Sequence, residues 1–285
     1  MSVLEKRDTR ISTRSDLRGM LRPQDALSAF SLTRFAPTDS IADLVERYWV
    51  ITWDLPAGVS HTQDVLSYPC IDLVFERGTT CVWGARTRRL RRRLTGAGWA
   101  FGVKFRPGGF TPLAACSIAR LTNRSMPADR ALTKSAGVQL LAVCRAIEQA
   151  DSPAARARIV DDWLTGLTID RSSSCPELSD LVRLAFHDTS IATVTDLAQR
   201  SGMSIRMLQR RVHEQIGLTP KAVLTTLRLM TAAQVLDAGS AELARLAADA
   251  GYADQSHFTN DFRARVGTTP GRYRRRKTGH DRLPL

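Results

Sequence analysis

The sequence predicts an α+β chain. A small β-domain, built as a barrel or sandwich, comes first. A helical connector follows, and then an all-α domain of two helix–glycine–helix units joined by a linker helix. Three observations carry this. Residues 31 to about 130 fall into short β-branched and aromatic runs separated by Pro and Gly. The last ninety residues hold an internal repeat with a period of about fifty. Between its two copies lies a stretch, Lys221 to Asp237, without any Gly or Pro.

Taken in order, residues 1–25 are expected to be a flexible N-terminus, with charges and no apolar run. Residues 26–132 form the β-domain, through the runs ERYWVITWDL, CIDLVFERG, TCVWG and WAFGVKFRPGG. Phe101, Val103 and Phe105 alternate with the period of two that marks a strand with one buried face. Residues 133–170 turn helical, with Leu140, Leu141, Cys144 and Ile147, then Ile159, Val160, Trp163 and Leu164. Those two helices either pair between subunits or cover the β-domain. The run Arg86-x-Arg88-Arg89-x-Arg91-Arg92-Arg93 reads as a charged hairpin edge that blocks strand pairing, or as an accessory contact to DNA or an acidic partner. Trp49, Trp53, Trp83 and Trp99 read as packed core, with a ligand pocket as the other reading.

The all-α domain is expected over 175–277, after the serine-rich boundary at 170–174, with a flexible tail at 278–285. Its first helix, Pro176 to His187, carries Leu178, Leu181, Val182, Ala185 and Phe186 on one face. In the first repeat copy, Thr193 and Asp196 form a capping box, Gly202 ends the helix and Ser204 caps the next. Ile205, Leu208 and Val212 form its apolar stripe. In the second copy Ser240 caps the first helix, Gly251 ends it, and Asp254 caps the next, whose stripe is Phe258, Phe262 and Val266. The linker is a rod of about 25 Å.

Charge and motif point the same way. There are 41 Lys and Arg against 28 Asp and Glu, a formal charge of +13, which favours a polyanionic partner. No apolar run is long enough to span a bilayer, so double-stranded DNA is the expected partner and the membrane is not. Helix, glycine turn, helix is the shape that sets a second helix into the major groove, and two copies in tandem strengthen the signal. On the first such helix Arg206, Gln209 and Arg210 project together as base readers; Arg suits guanine and Gln adenine. On the second, Gln255, Ser256, Thr259 and Asn260 form the matching, shorter polar face. Ser204, Arg211, Lys221, Arg263 and Arg272 are the expected phosphate contacts, which hold register without choosing sequence. Five scattered cysteines without a CxxC pair suit reduced thiols in the cytoplasm, where the chain is expected beside the nucleoid.

These residues carry a family resemblance. The region from Pro176 to Arg276 resembles the DNA-binding domain of AraC/XylS-type regulators. The matching features are the paired units, Arg228-Leu229 in the linker, Ala250-Gly251-Tyr252-x-Asp254-Gln255-Ser256-His257-Phe258-x-x-x-Phe262, and Gly267-x-x-Pro270-x-x-Tyr273-Arg274. Val212 stands where an aromatic is common in that family. The first half is similar to the cupin-like domains that precede such modules. The resemblance implies an activator or other regulator of transcription, with RNA polymerase and a small-molecule or protein effector as partners, and a homodimer as one assembly. The effector site is not assigned from sequence.

No enzymatic activity, cofactor or metal is expected. A metal-dependent cupin needs clustered His ligands, and His61 is the one His in the first 180 residues. A cysteine-based DNA alkyltransferase would follow Pro-Cys with His and Arg, whereas Pro69-Cys70 is followed by Ile71-Asp72. A co-regulator that binds the transcription machinery through its helical module is the remaining alternative.

Overall fold

The computed structural model describes residues 9–10, 17, 19–239 and 242–275. Its strands are β1 (Thr9–Arg10), β2 (Ser31–Phe35), β3 (Val45–Asp54), β4 (Ser60–Val65), β5 (Asp72–Glu76), β6 (Thr79–Trp83), β7 (Leu90–Thr95), β8 (Ala97–Phe105) and β9 (Ser125–Pro127). Seven of them make one antiparallel sheet in the order β1-β2-β3-β8-β5-β6-β9, while β4 and β7 pair into a separate two-stranded ribbon.

Register sorts the side chains between the two faces of the sheet. Tyr48 and Val50 of β3 oppose Val103 and Phe101 of β8, which oppose Leu73 and Phe75 of β5. All six are buried. One residue along in each strand, Trp49 opposes Gly102, which opposes Val74; Arg47 opposes Lys104, which opposes Asp72. This second face carries the polar and aromatic residues and looks toward the ribbon.

The apolar face is covered by the connector. After the short α1 (Pro23–Ala29), α2 (Ala128–Ala131) and α3 (Lys134–Gly137) come α4 (Leu140–Gln149) and α5 (Pro153–Gly166). Leu140, Val143, Ile147, Val160, Trp163 and Leu164 join the strand residues in one apolar cluster. A buried carboxylate fixes the docking: Asp161 accepts from the Tyr48 hydroxyl at 2.8 Å and from the Thr38 N–H at 3.0 Å. Of the two roles that the sequence left open for these helices, the structure shows the covering one.

Among the described residues seven α-helices follow: α6 (Pro176–His187), α7 (Val194–Ser201), α8 (Ile205–Ile216), α9 (Pro220–Ala238), α10 (Leu243–Asp249), α11 (Gln255–Val266) and α12 (Pro270–Arg275). Leu208, Val212 and Ile216 of α8 and Phe258, Phe262 and Val266 of α11 are fully buried around α9. Ile205 departs from expectation. It is 44% exposed, and the stripe runs on to Ile216 instead. Side chains lean toward a helix's N-terminus, so the first residue of α8 leans out past the core.

Two further expectations need correction. Residues 1–8, 11–16 and 18 of the expected flexible N-terminus lie outside the described residues, but residues 19–25 are folded. The Gly19 carbonyl accepts from the Leu66 N–H at 2.7 Å, the Leu21 N–H donates to Asp64 O at 3.1 Å, and Leu21 enters the core of the helical half. Ser240, expected to cap the first helix of the second unit, and the tail at 278–285 also lie outside the described residues. That helix, α10, begins behind Glu242 without a side-chain cap.

Candidate nucleic-acid interface

Each unit is set by its caps. Thr193 Oγ1 accepts from the Asp196 N–H, and the Asp196 carboxylate takes the Thr193 N–H at 2.6 Å and the Ala192 N–H at 3.0 Å. Gly202 follows at φ 64°, a left-handed conformation that a side chain would strain. Ser204 Oγ then accepts from the Met207 N–H at 3.2 Å and starts α8. In the second unit the Asp254 carboxylate accepts from the His257 N–H at 2.8 Å and starts α11. Between the units α9 is capped by Thr219, opened by Pro220 and stopped by Gly239. Its 19 residues make a rod of about 28 Å.

This scaffolding leaves two exposed polar faces. Arg206, Gln209 and Arg210 are exposed together on the first two turns of α8, beside the exposed apolar side chains of Ile205 and Met207. Gln255, Ser256 and Asn260 are exposed on the first two turns of α11, while Thr259 is half-buried. Ser204, Lys221, Arg263 and Arg272 are exposed around these faces. Arg211 is exposed as well, and its guanidinium lies 3.4 Å from Cys175 Sγ, at the start of α6.

Two other arginines of the basic stretch are structural, which sequence reasoning missed. Arg265 of α11 donates to Thr226 Oγ1 of α9 at 2.8 Å, and burial lowers its pKa. Arg228 of α9 lies against Gly251, and burial lowers its pKa too. The signal was available in part, because both sit at helical spacing from buried neighbours. Two tyrosines complete the second unit. Tyr252 donates to Asp261 at 3.1 Å and Tyr273 to Asp237 at 3.0 Å; burial is the main cause that raises both phenols.

The β half grips both α8 and α11 at their C-terminal ends. Thr122 donates to the carbonyl of Gly217, just past α8, at 2.6 Å, and Thr111 donates to Gln215 Oε1 of α8 at 2.9 Å. Arg89, from the arginine run, bonds the Val266 carbonyl through its guanidinium, and its own N–H donates to Arg265 O at 2.8 Å. The run therefore does not act as a uniform charged edge. Arg91 pairs with Asp64 and Arg92 with Glu76, Arg86 turns inward, and Arg88 and Arg93 are exposed.

Between the polar face of the sheet and the β4–β7 ribbon is a cavity of about 200 Å³. Trp49 and Trp83 line it. Trp53 instead donates to Thr95 O at 3.2 Å, and Trp99 stacks with Arg156, so these two are packing residues. Cys70, beside this region, is 2% exposed, and burial pushes its thiol up to about 12, against the opposing pull of Lys104. A buried thiol so protonated is a poor nucleophile, which weighs against a cysteine-based alkyl acceptor there. Among the described residues no three His, Cys, Asp or Glu side chains converge as a metal-binding group, and no helix is long and apolar enough to cross a membrane.

Residues 197–276 match a family described as a helix-turn-helix domain, and residues 33–127 match a domain of unknown function, DUF6597. Among curated proteins, the chain is similar to the RCS-specific HTH-type transcriptional activator RclR of Escherichia coli K12, 34% identical over 35% of this chain and 34% of that protein. It is also similar to the transcriptional activator NphR of a Rhodococcus species, 31% identical over 38% of this chain and 31% of that one. The HTH-type transcriptional activator RhaS of Escherichia coli SE11 is 34% identical over 29% and 30%. The chain thus spans about a third of the length of the curated relatives it matches. Among solved structures, the DNA-binding domain of the global transcriptional factor AdpA, in complex with a target DNA, aligns with 36% of this chain and 98% of its own at 28% identity and a TM-score of 0.33. Behind a DUF6597 domain, the chain carries a helix-turn-helix domain of the AraC type.

Proposed function

We propose that this protein is a sequence-specific DNA-binding regulator of transcription, and that its two units read successive major grooves from one face of the duplex. The observation that carries this is the pair of capped, exposed reading faces on α8 and α11, held by one rigid rod within the matched domain. A rod of about 28 Å suits two helices that must enter grooves about 34 Å apart. Arg206, Gln209 and Arg210 are the principal base readers, and Gln255, Ser256, Thr259 and Asn260 make the second set. Ser204, Arg211, Lys221, Arg263 and Arg272 hold the backbone. The β half senses a small effector or joins two copies, and RNA polymerase is the protein partner of the bound complex, in the cytoplasm beside the nucleoid. The relatives named above are activators, which supports regulation as the output.

The test is selection from random duplex DNA by the full-length protein, followed by a salt titration on the enriched site. The expected result is a two-part motif with its halves about one helical turn apart. With about five phosphate contacts, the logarithm of the affinity falls against the logarithm of salt with a slope of roughly −4.5. No enriched motif at moderate salt would overturn the reading.

A further inference from the structure

The cavity between sheet and ribbon has a chemistry that its residues spell out. Its floor is the polar face of the sheet, where Trp49 lies flat on Gly102; a Cβ there would sit 2.1 Å from Trp49 Cε2. Trp49 Nε1 donates to Asp72 at 3.3 Å, so the ring is fixed at its edge as well. Trp83 forms a second aromatic wall from β6, in register with Asp72. The roof comes from the ribbon, through Gln63, Leu90 and Arg92.

Charges in this cavity are mostly answered. Arg47 pairs with Glu46, Arg92 pairs with Glu76, and Lys104 lies beside Asp72 and Cys70. Arg86 is different. Its guanidinium sits 5.0 Å from the Trp83 ring centroid and reaches the Asn123 carbonyl at 3.3 Å, but among the described residues it has no carboxylate partner. Its Nε is buried and makes no hydrogen bond. Burial without a counter-charge lowers its pKa, the mark of a cation held where water does not fully solvate it. The segment that carries it is fixed from both sides. Gly84 N donates to Arg124 O, and Thr87 N donates to the side chain of Asn123 at 2.8 Å. A desolvated arginine, held rigid and short of one bond, over a tryptophan face, is a preformed receptor for an anion.

We propose that this cavity binds a small planar organic anion, an aromatic carboxylate, whose ring packs among Trp49 and Trp83 and whose carboxylate takes Arg86. The size agrees, since about 200 Å³ is below the ~300–1,000 Å³ of pockets for drug-sized ligands. Flat aromatic walls favour a flat body. The inference deepens the effector-sensing part of the proposed function. Its test involves no DNA, so failure of the ligand site and failure of the regulator reading are told apart.

The experiment is calorimetric titration of the full-length protein with benzoate and with benzamide, its uncharged analogue, together with intrinsic tryptophan fluorescence. Benzoate is expected to bind and to perturb the fluorescence, and benzamide to bind at least about tenfold more weakly. Arg86→Gln is expected to remove that preference, Arg86→Lys to restore part of it, and Arg88→Gln, at an exposed position of the same run, to leave it intact. Melting curves of the unliganded variants separate lost binding from lost folding. If benzamide matched benzoate, or if a folded Arg86→Gln kept the preference, the proposal would be overturned.

Discussion

Arg89 and Val266 join the β half, just ahead of β7, to α11: the guanidinium of one bonds the last carbonyl of the helix, contributed by the other. A helix ends in unpaired carbonyls and a partial negative charge, and a cation at that end answers both. The same guanidinium lies 3.4 Å from Asp64 of β4, the strand that pairs with β7 just after Arg89. Arg89→Ala should therefore cost about 1–3 kcal/mol, the range for losing a charged hydrogen bond to a half-buried carbonyl. Arg91→Ala removes a more exposed pair with the same Asp64 and should stay within about 1 kcal/mol. Urea unfolding measures both, and hydrogen exchange at residues 263–267 should rise in the first alone. Equal effects would mean that the clasp contributes nothing.

Arg210 and Arg211 are neighbours in sequence to which the proposed function gives different tasks. Arg210 shares its exposed face with Arg206 and Gln209, whereas Arg211, exposed too, has its guanidinium beside Cys175. Arg210→Ala should weaken binding to the selected operator by about 1–3 kcal/mol and leave binding to random duplex nearly unchanged. Arg211→Ala should weaken both alike and flatten the salt dependence by about one contact. Competition binding at two salt concentrations distinguishes them. An Arg210→Ala protein with wild-type operator affinity would remove this residue from the readers.

Local chemistry explains what was legible in advance. Capping boxes, glycine stops and apolar stripes act within one or two turns, so Thr193, Asp196, Gly202, Ser204 and Asp254 could be placed from their neighbours alone. The β-rich character of the first half followed equally from runs such as Phe101–Phe105. Contacts between distant segments were not legible. The arginine run looked uniform because no pattern within it tells Arg86, in the cavity, from Arg89, on α11, or Arg92, on Glu76. Arg265 and Arg228 were hidden for the same reason: a basic residue's burial depends on which helix faces it. Ile205 misled in the opposite way. Its angular position is that of a core residue, and only the end of the helix exposes it.

The stripe of α11 and the apolar start of α8 should respond unequally to truncation. Phe262 is fully buried and touches the rings of Phe258 and Tyr273, with centroids 5.7 Å away in each case. Phe262→Ala should cost about 3–5 kcal/mol and uncouple the second unit. Ile205→Ala removes a side chain that is 44% exposed and should change stability by about 0.5 kcal/mol or less. Thermal unfolding gives both values. A large loss at Ile205 would show that its side chain is covered in solution, by a second copy or another segment.

Acid should weaken the first unit through Asp196. Hydrogen bonds from Thr193, and then from the Ala192 N–H, hold this carboxyl below its ordinary value against a small opposing effect of burial. Above the ordinary carboxylate range, folded and unfolded chains both carry the charge, and the capping box contributes in full. As pH falls through that range, the unfolded chain takes up the proton first, and the contribution shrinks. It is gone once pH has passed through the depressed folded value. Asp170 and Asp188 are lowered in the same direction, so the total acid slope does not isolate one group. The difference between wild type and Asp196→Asn does. Urea unfolding from pH 7 downward should show the variant less stable at neutral pH, with the gap closing as pH falls below about 4. A gap that stayed constant with pH would mean that the Asp196 charge makes no contribution to the cap.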